Sequence, residues 1–352
     1  MRAPQASGVV LLVAAAIALT WASLAPSTYA WLRSPPAAFL IDDVLMTVFF
    51  FVAGLEIRGE LETGSLSDAR RAALPIVAAL GGMIVPGAIY LLMAPRASSA
   101  GWAIPTATDI AFALGVLSLL GSRVPAALRA LLLALAIVDD LGAIVLVALF
   151  YASGVWLPGL IAAPLALAVR RMARHRSASL VAWIAALLVW LAVASSGVHP
   201  TIAGAAIGLA TPPREVASLD RLRLFVALFI MPVFALAHAG VHVAALPTEA
   251  TEVGVIVAVS VGLAIGKPLG VLVAAWVAVR LRIAALPPGI GVREMIVLGA
   301  TSGIGFTMSL LIGSLAFAHA SLRDAATLGV LTGSGVAALA SLALGRALLS
   351  RT

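Results

Sequence analysis

Apolar residues fill this chain in blocks of roughly the length a helix needs to cross a bilayer, about 20 residues. Short clusters of Arg, Gly and Pro separate the blocks. Reading between these breaks predicts about twelve helical spans, at 8–25, 41–57, 72–94, 101–120, 126–151, 156–170, 180–196, 198–211, 224–246, 253–279, 293–317 and 325–349. Twelve such spans occupy about two-thirds of the chain, so the loops are too short for a second domain. The first block could pass for a signal peptide, but further spans follow at once, which favours an uncleaved first span. The fold class expected is an all-α polytopic membrane protein.

Composition agrees. Of 352 residues, 62% are hydrophobic and 11% charged, with a mean hydropathy of +1.14. A soluble domain averages about 45–50% apolar and 25% charged residues. A soluble enzyme is therefore excluded, and the net charge of +7 points to membrane topology and not to nucleic acid. There is no cysteine, which removes thiolate metal sites and cysteine nucleophiles. With the N-terminus inside, eighteen arginines fall in inside loops and three, Arg33, Arg96 and Arg323, outside. This bias favours an even number of spans with both termini cytoplasmic.

Most charges sit in loops or near the ends of predicted spans, but four do not: Asp109 in AIPTATDIAFALG, Asp139 and Asp140 in ALAIVDDLGAIVL, and Lys267 in GLAIGKPLGV. Such groups cost several kcal/mol at mid-membrane, and aspartate is too short to snorkel to the interface. Lys267 is the only lysine. Arginine keeps its charge almost everywhere, whereas a buried lysine can give up its proton, so the choice suits a protonation role or a structural ion pair with Asp139 or Asp140. Adjacent aspartates on a helix point about 100° apart, which lets one face a cavity and the other a neighbouring helix. Carboxylates, with the hydroxyl or backbone oxygen of Thr108, suit a small hard cation, a proton, or both in competition. Pro105 and Thr106 interrupt one span, and Ser302-Gly303-Ile304-Gly305 another. Broken helices are tolerated at membrane depth only inside protein or along a cavity, and interrupted spans in two halves are a pointer to a transporter site.

These stretches carry a resemblance. AIPTATDIAFALGVLSLLGSRVP, LALAIVDDLGAIVLVALFY, SSGVHPTIAG, GLAIGKPLG, SGIGFTMSLLIGSLAF and FFFVAGLEIRGELETGSL are similar to the NhaA-type sodium/proton antiporters of bacterial inner membranes, from about Ile41 onward. The resemblance implies one transporter domain over 1–352, with a core bundle near 72–151 and 253–349 and an interface bundle near 8–57 and 180–246. It implies inverted repeats and two discontinuous helices, broken at Pro105 and at Gly303 and Gly305. Asp140 matches the principal cation- and proton-carrying aspartate, Asp139 its neighbour that pairs with Lys267, and Asp109 and Thr108 the helix crossing. Na⁺ would thus be held by Asp140 and Asp139. The substrates implied are cytoplasmic Na⁺ or Li⁺ and external H⁺, exchanged electrogenically, with no cofactor.

Glu56, Glu60 and His199 match positions tied to the family's pH response. The stretch 218–223, however, reads SLDRLR where relatives often have a Glu and two His. The loop at about 26–40 is short for the β-hairpin through which some relatives dimerise, which argues against, without excluding, a homodimer. Other classes fit less well. An intramembrane aspartyl protease using Asp109 and Asp140 leaves Lys267 without a role and crowds its dyad with Asp139. A serine protease built on Gly333-Ser334-Gly335 with His199 or His238 competes with helix packing by small residues. A solute symporter would want a more polar or aromatic cavity than these aliphatic, glycine-rich spans provide.

Overall fold

A computed structural model describes residues 3–151, 164, 179–211, 220–242 and 249–349. Except for residue 164, the span expected at 156–170 lies outside the described residues, as do Arg2, the arginines at 170–176, Arg214 and Arg351. Among the described residues the regular structure is entirely helical.

The helices are α1 (Ala3–Leu24), α2 (Pro35–Glu62), α3 (Ala69–Met93), a 3₁₀ segment (Arg96–Thr106), α4 (Ile110–Ser118) and α5 (Ala126–Phe150). There follow α6 (Ser179–Ser195), α7 (Thr201–Ala210), α8 (Asp220–His238), α9 (Ala250–Arg280), α10 (Val292–Ser302), α11 (Phe306–Ala316) and α12 (Ala320–Leu348). Seven of these (α1, α2, α3, α5, α8, α9 and α12) are individually long and apolar enough to cross a membrane. Two further pairs pass that test together but bend, the 3₁₀ segment with α4 by 54° and α10 with α11 by 41°.

Local chemistry explains the ends. Ser34 is extended and Pro35 and Pro36 fill the first turn of α2, a position where the missing N–H of proline costs nothing. Helix α2 therefore starts before the expected residue 41, and the connection from α1 winds into short turns at Pro26–Tyr29 and Ala30–Arg33. Asp68 caps α3 by accepting from the Arg70 amide at 2.8 Å. The surface is inverted relative to a soluble protein. Leu92, Leu149 and Leu339 are at least 70% exposed, while Asp109, Asp139, Asp140 and Lys267 are buried. Lipid takes the place of water at those leucines.

Close backbone approach holds the bundle together. At Gly54 of α2 a Cβ would strike the Ala205 carbonyl of α7, and at Gly270 of α9 it would strike the Gly81 carbonyl of α3. Small residues permit such contact between membrane helices, where no hydrophobic force distinguishes a neighbour from lipid. Among the described residues three π-helical turns interrupt the regular winding, at Phe39–Leu45, Val226–Ile230 and Gly262–Gly266. The third ends immediately before Lys267. Such turns re-aim the residues that follow them and recur at functional sites.

Candidate ion-binding site

Both bends are places where the chain leaves the helix for a few residues. Between the 3₁₀ segment and α4 lie Ala107, Thr108 and Asp109, with Ala107 and Asp109 extended. Pro105 and Thr106 thus belong to the 3₁₀ segment, and the break falls just after them. Pro105 itself has no N–H to donate back to the preceding turn, and the extended conformations of Ala107 and Asp109 make the break. Between α10 and α11 lie Gly303, Ile304 and Gly305. The two breaks meet: the Asp109 amide donates to the Ile304 carbonyl at 2.7 Å.

A helix end inside a protein leaves backbone groups without partners and carries a partial charge. Here each of the four ends is met. Asp109 caps α4 by accepting from the Phe112 amide at 2.9 Å. Its other oxygen accepts from the amide of Thr307 at 3.1 Å and from the Thr307 hydroxyl, in the first turn of α11. One carboxylate therefore faces two positive helix ends. At the negative ends, Lys267 donates to the Thr106 carbonyl, and the Thr108 hydroxyl lies 2.9 Å from the Ser302 carbonyl. Ser334 of α12 accepts from the amides of Gly305 and Phe306 at 3.2 Å each. Its place in Gly333-Ser334-Gly335 is accounted for by capping α11.

Asp139 and Asp140, neighbours on α5, face different surroundings. Asp139 Oδ2 lies 2.7 Å from Lys267 Nζ, with both side chains fully buried, and 2.6 Å from Thr108 Oγ1. The single Thr108 proton serves either Asp139 or Ser302 at one time. Gly82 of α3 lies beside the lysine stem, where a Cβ would strike Val271 Cγ2 at 2.8 Å and be in ordinary contact with Lys267 Cγ at 3.7 Å. Asp140 is 4% exposed, and its Oδ1 is buried with no hydrogen-bond partner. It lines a cavity of about 110 Å³ shared with Asp109, Thr307, Glu56, Arg223, Phe49 and Met231. That volume holds a few waters or a partly hydrated small ion.

The other expected residues fall in three places. Glu56 lines the Asp140 cavity, 3.8 Å from Arg223 Nε. Glu60 turns away and accepts from the amide and hydroxyl of Ser65, each at 2.8 Å, which fixes the turn after α2. His199 sits elsewhere, bonded to Thr201 at 2.9 Å and 3.7 Å from Asp43. Sequence reasoning missed Thr307, Arg223 and the capping role of Ser334. A hydroxyl two residues past the SGIG break was the available signal for Thr307; Arg223 had none beyond its charge.

The fold and this cluster define a polytopic helical membrane protein built around buried carboxylates and a lysine, with no donors for a soft metal among them. Residues 1–344 match the family model described as Na⁺/H⁺ antiporter 1, and the chain belongs to that family. It is 46% identical to Na(+)/H(+) antiporter NhaA 2 of Myxococcus xanthus, covering 98% of this chain and 87% of that protein. It is 44% identical to Na(+)/H(+) antiporter NhaA of an Acidovorax species, over 98% and 90%. A Sorangium cellulosum relative, also named Na(+)/H(+) antiporter NhaA 2, is 41% identical over 99% and 89%.

Proposed function

We propose that this chain exchanges cytoplasmic Na⁺ or Li⁺ for external H⁺ across a bacterial inner membrane, with Asp140 as the group that carries either occupant. The observation that carries the reading is the pair of unlike neighbours on α5. Lys267 neutralises Asp139, whereas Asp140 Oδ1 is buried and unpartnered beside a small cavity. A buried carboxylate without a partner is costly while charged. A proton relieves that charge, and so does a desolvated alkali cation, but each removes the reason for the other to bind. Thr307 and Asp109, on the same cavity wall, supply further oxygens for the cation.

In the proposed architecture each bent pair is one broken span, and with the span at 156–170 the chain crosses twelve times. The halves containing the breaks are related as inverted repeats, and the bundle of α3–α5 and α9–α12 rocks against the rest. Both termini are cytoplasmic by the arginine bias. The Asp140 cavity is lined by Glu56 and Arg223, which lie toward the arginine-rich side in this orientation. When more protons than sodium ions cross, each net charge adds about 2.3 kcal/mol per 100 mV of membrane potential to the driving force.

The test is sodium-dependent proton flux in proteoliposomes. Wild type dissipates an imposed pH gradient on addition of Na⁺ or Li⁺. Asp140→Asn, which keeps the shape but loses the charge, leaves no such response. Normal flux in that variant would overturn the assignment.

A further inference from the structure

A second cavity, of about 160 Å³, lies apart from the Asp140 site and holds ionisable groups that the proposed exchange leaves unused. It is lined by Asp42, His199, His238, Arg33, Arg323 and Thr327. His238 is the last residue of α8, and its ring stacks on Phe234 at 4.2 Å and 16°, which fixes its orientation. Both ring nitrogens then face oxygen. Nδ1 is 3.1 Å from the Phe234 carbonyl and Nε2 is 3.2 Å from Asp42 Oδ1. That Asp42 oxygen is buried and has no hydrogen-bond partner among the described residues, so its approach to Nε2 is a close contact between two groups that both lack a donor there.

A neutral imidazole has one N–H and one lone pair. The Phe234 carbonyl can only accept, so Nδ1 takes the ring hydrogen, and Nε2 would turn its lone pair on a carboxylate. The arrangement is attractive only with one more proton, either on the ring or on Asp42. We propose that Asp42 and His238 are a second proton-binding site, whose occupancy ties α2 to the end of α8 and makes transport respond to pH on that face. The inference rests on the exchange reading above for its link to transport. The face is the one carrying Arg33 and Arg323, the outer side in the proposed orientation.

The surrounding elements make proton loss consequential. Asp42 sits in the π-helical turn of α2. The end of α8 is tied to α12 by the Thr327 hydroxyl on the His238 carbonyl at 3.4 Å. Arg33 adds to this, bonding the Gly240 carbonyl at 2.7 Å and Asp324 at 2.9 Å. The charges facing the pair are Asp43 from α2, His199 from the turn before α7, Arg33 from the α1–α2 connection, and Arg323 and Asp324 from α12. Without the shared proton, Asp42 and Nε2 repel and this closure loosens.

Two measurements on the full chain test this. In oriented vesicles with lumenal pH clamped, wild-type exchange should change about threefold or more as pH on the Arg33 face moves from about 6 to 8, the range in which an imidazole changes charge. Asp42→Asn/His238→Asn, which replaces the pair by neutral amides of similar shape, should flatten that dependence while keeping exchange. An unchanged dependence overturns the proposal. Independently, ¹⁵N ring signals of His238 in nanodiscs, assigned with His238→Asn, should move for Nε2 toward a bare lone pair in Asp42→Ala. An unmoved Nε2 signal overturns the site whether or not exchange is seen. Absence of exchange in wild type would defeat the exchange reading and leave this second result to stand alone.

Discussion

Removing the Lys267 ammonium while leaving Asp139 in place tests how the buried pair is balanced. In Lys267→Met a stem of similar length remains against Gly82, but Asp139 keeps only the Thr108 hydroxyl at 2.6 Å. Its Oδ1 already lacks a partner. Breaking one side of a fully buried pair costs about 3–5 kcal/mol, because the remaining charge is uncompensated. At roughly 2 °C per kcal/mol for a chain of this size, the melting temperature should fall by about 6–10 °C at pH 8.5. The loss should shrink at pH 5.5, where a proton can take the place of the lost cation on Asp139. The double variant Asp139→Asn/Lys267→Met removes both charges and should lie within about 1 kcal/mol of wild type. Thermal unfolding followed by tryptophan fluorescence in detergent measures all three. If the double variant melts as low as Lys267→Met, the loss comes from packing of the stem, and the charge argument is wrong.

Two further outcomes follow from the geometry. Asp109→Ala strands the amides of Phe112 and Thr307 and the Thr307 hydroxyl, at about 1–3 kcal/mol for each buried donor, whereas Asp109→Asn keeps one acceptor oxygen and should lose less. Equal melting temperatures for these variants would show that the carboxylate does not hold the two helix starts. On α2, Gly54→Ala drives a methyl into the α7 backbone and should destabilise by about 1–3 kcal/mol. Gly59→Ala meets nothing within 4 Å and should stabilise by about 0.5–1 kcal/mol through helix propensity. The same sign for both substitutions, by melting temperature, would refute the close-approach account of the α2–α7 contact.

Much of the helical layout was legible because lipid imposes a strict rule: each crossing needs an apolar run, and charges must go to its ends. The rule located α5 within one residue at its C-terminal end and left the ionisable residues inside the runs as anomalies. It worked less well where the backbone departs from an even α-helix. The 3₁₀ segment Arg96–Thr106 begins with a polar stretch that reads as loop, and α2 begins six residues early because a Pro-Pro pair starts it. Contacts across long separations were mostly illegible, except the Lys267–Asp139 pair, which two opposite charges inside apolar runs announce. Asp109 and Thr307 are 198 residues apart, and nothing local in either stretch announces the other. The Asp42–His238 contact was invisible for the same reason: each residue alone reads as a charge near a helix end.

The breaks also explain why two aspartates stand side by side. A helix end exposes partial charge only where the helix stops, so crossing two broken helices concentrates four such ends in one volume. Asp109 answers the two positive ends, and Lys267 answers the carbonyl end of the 3₁₀ segment at Thr106. A buried lysine then needs an anion of its own, and Asp139 provides it at 2.7 Å. These groups balance each other and would make a stable but inert polar core. Asp140, one residue on and about 100° around α5, lies outside that balance. Its Oδ1 has no hydrogen-bond partner among the described residues, and in the exchange proposed above its occupant comes from outside the protein. The balanced groups fix the geometry of the crossing, and in the proposed exchange the unbalanced carboxylate is the place whose charge a mobile ion satisfies.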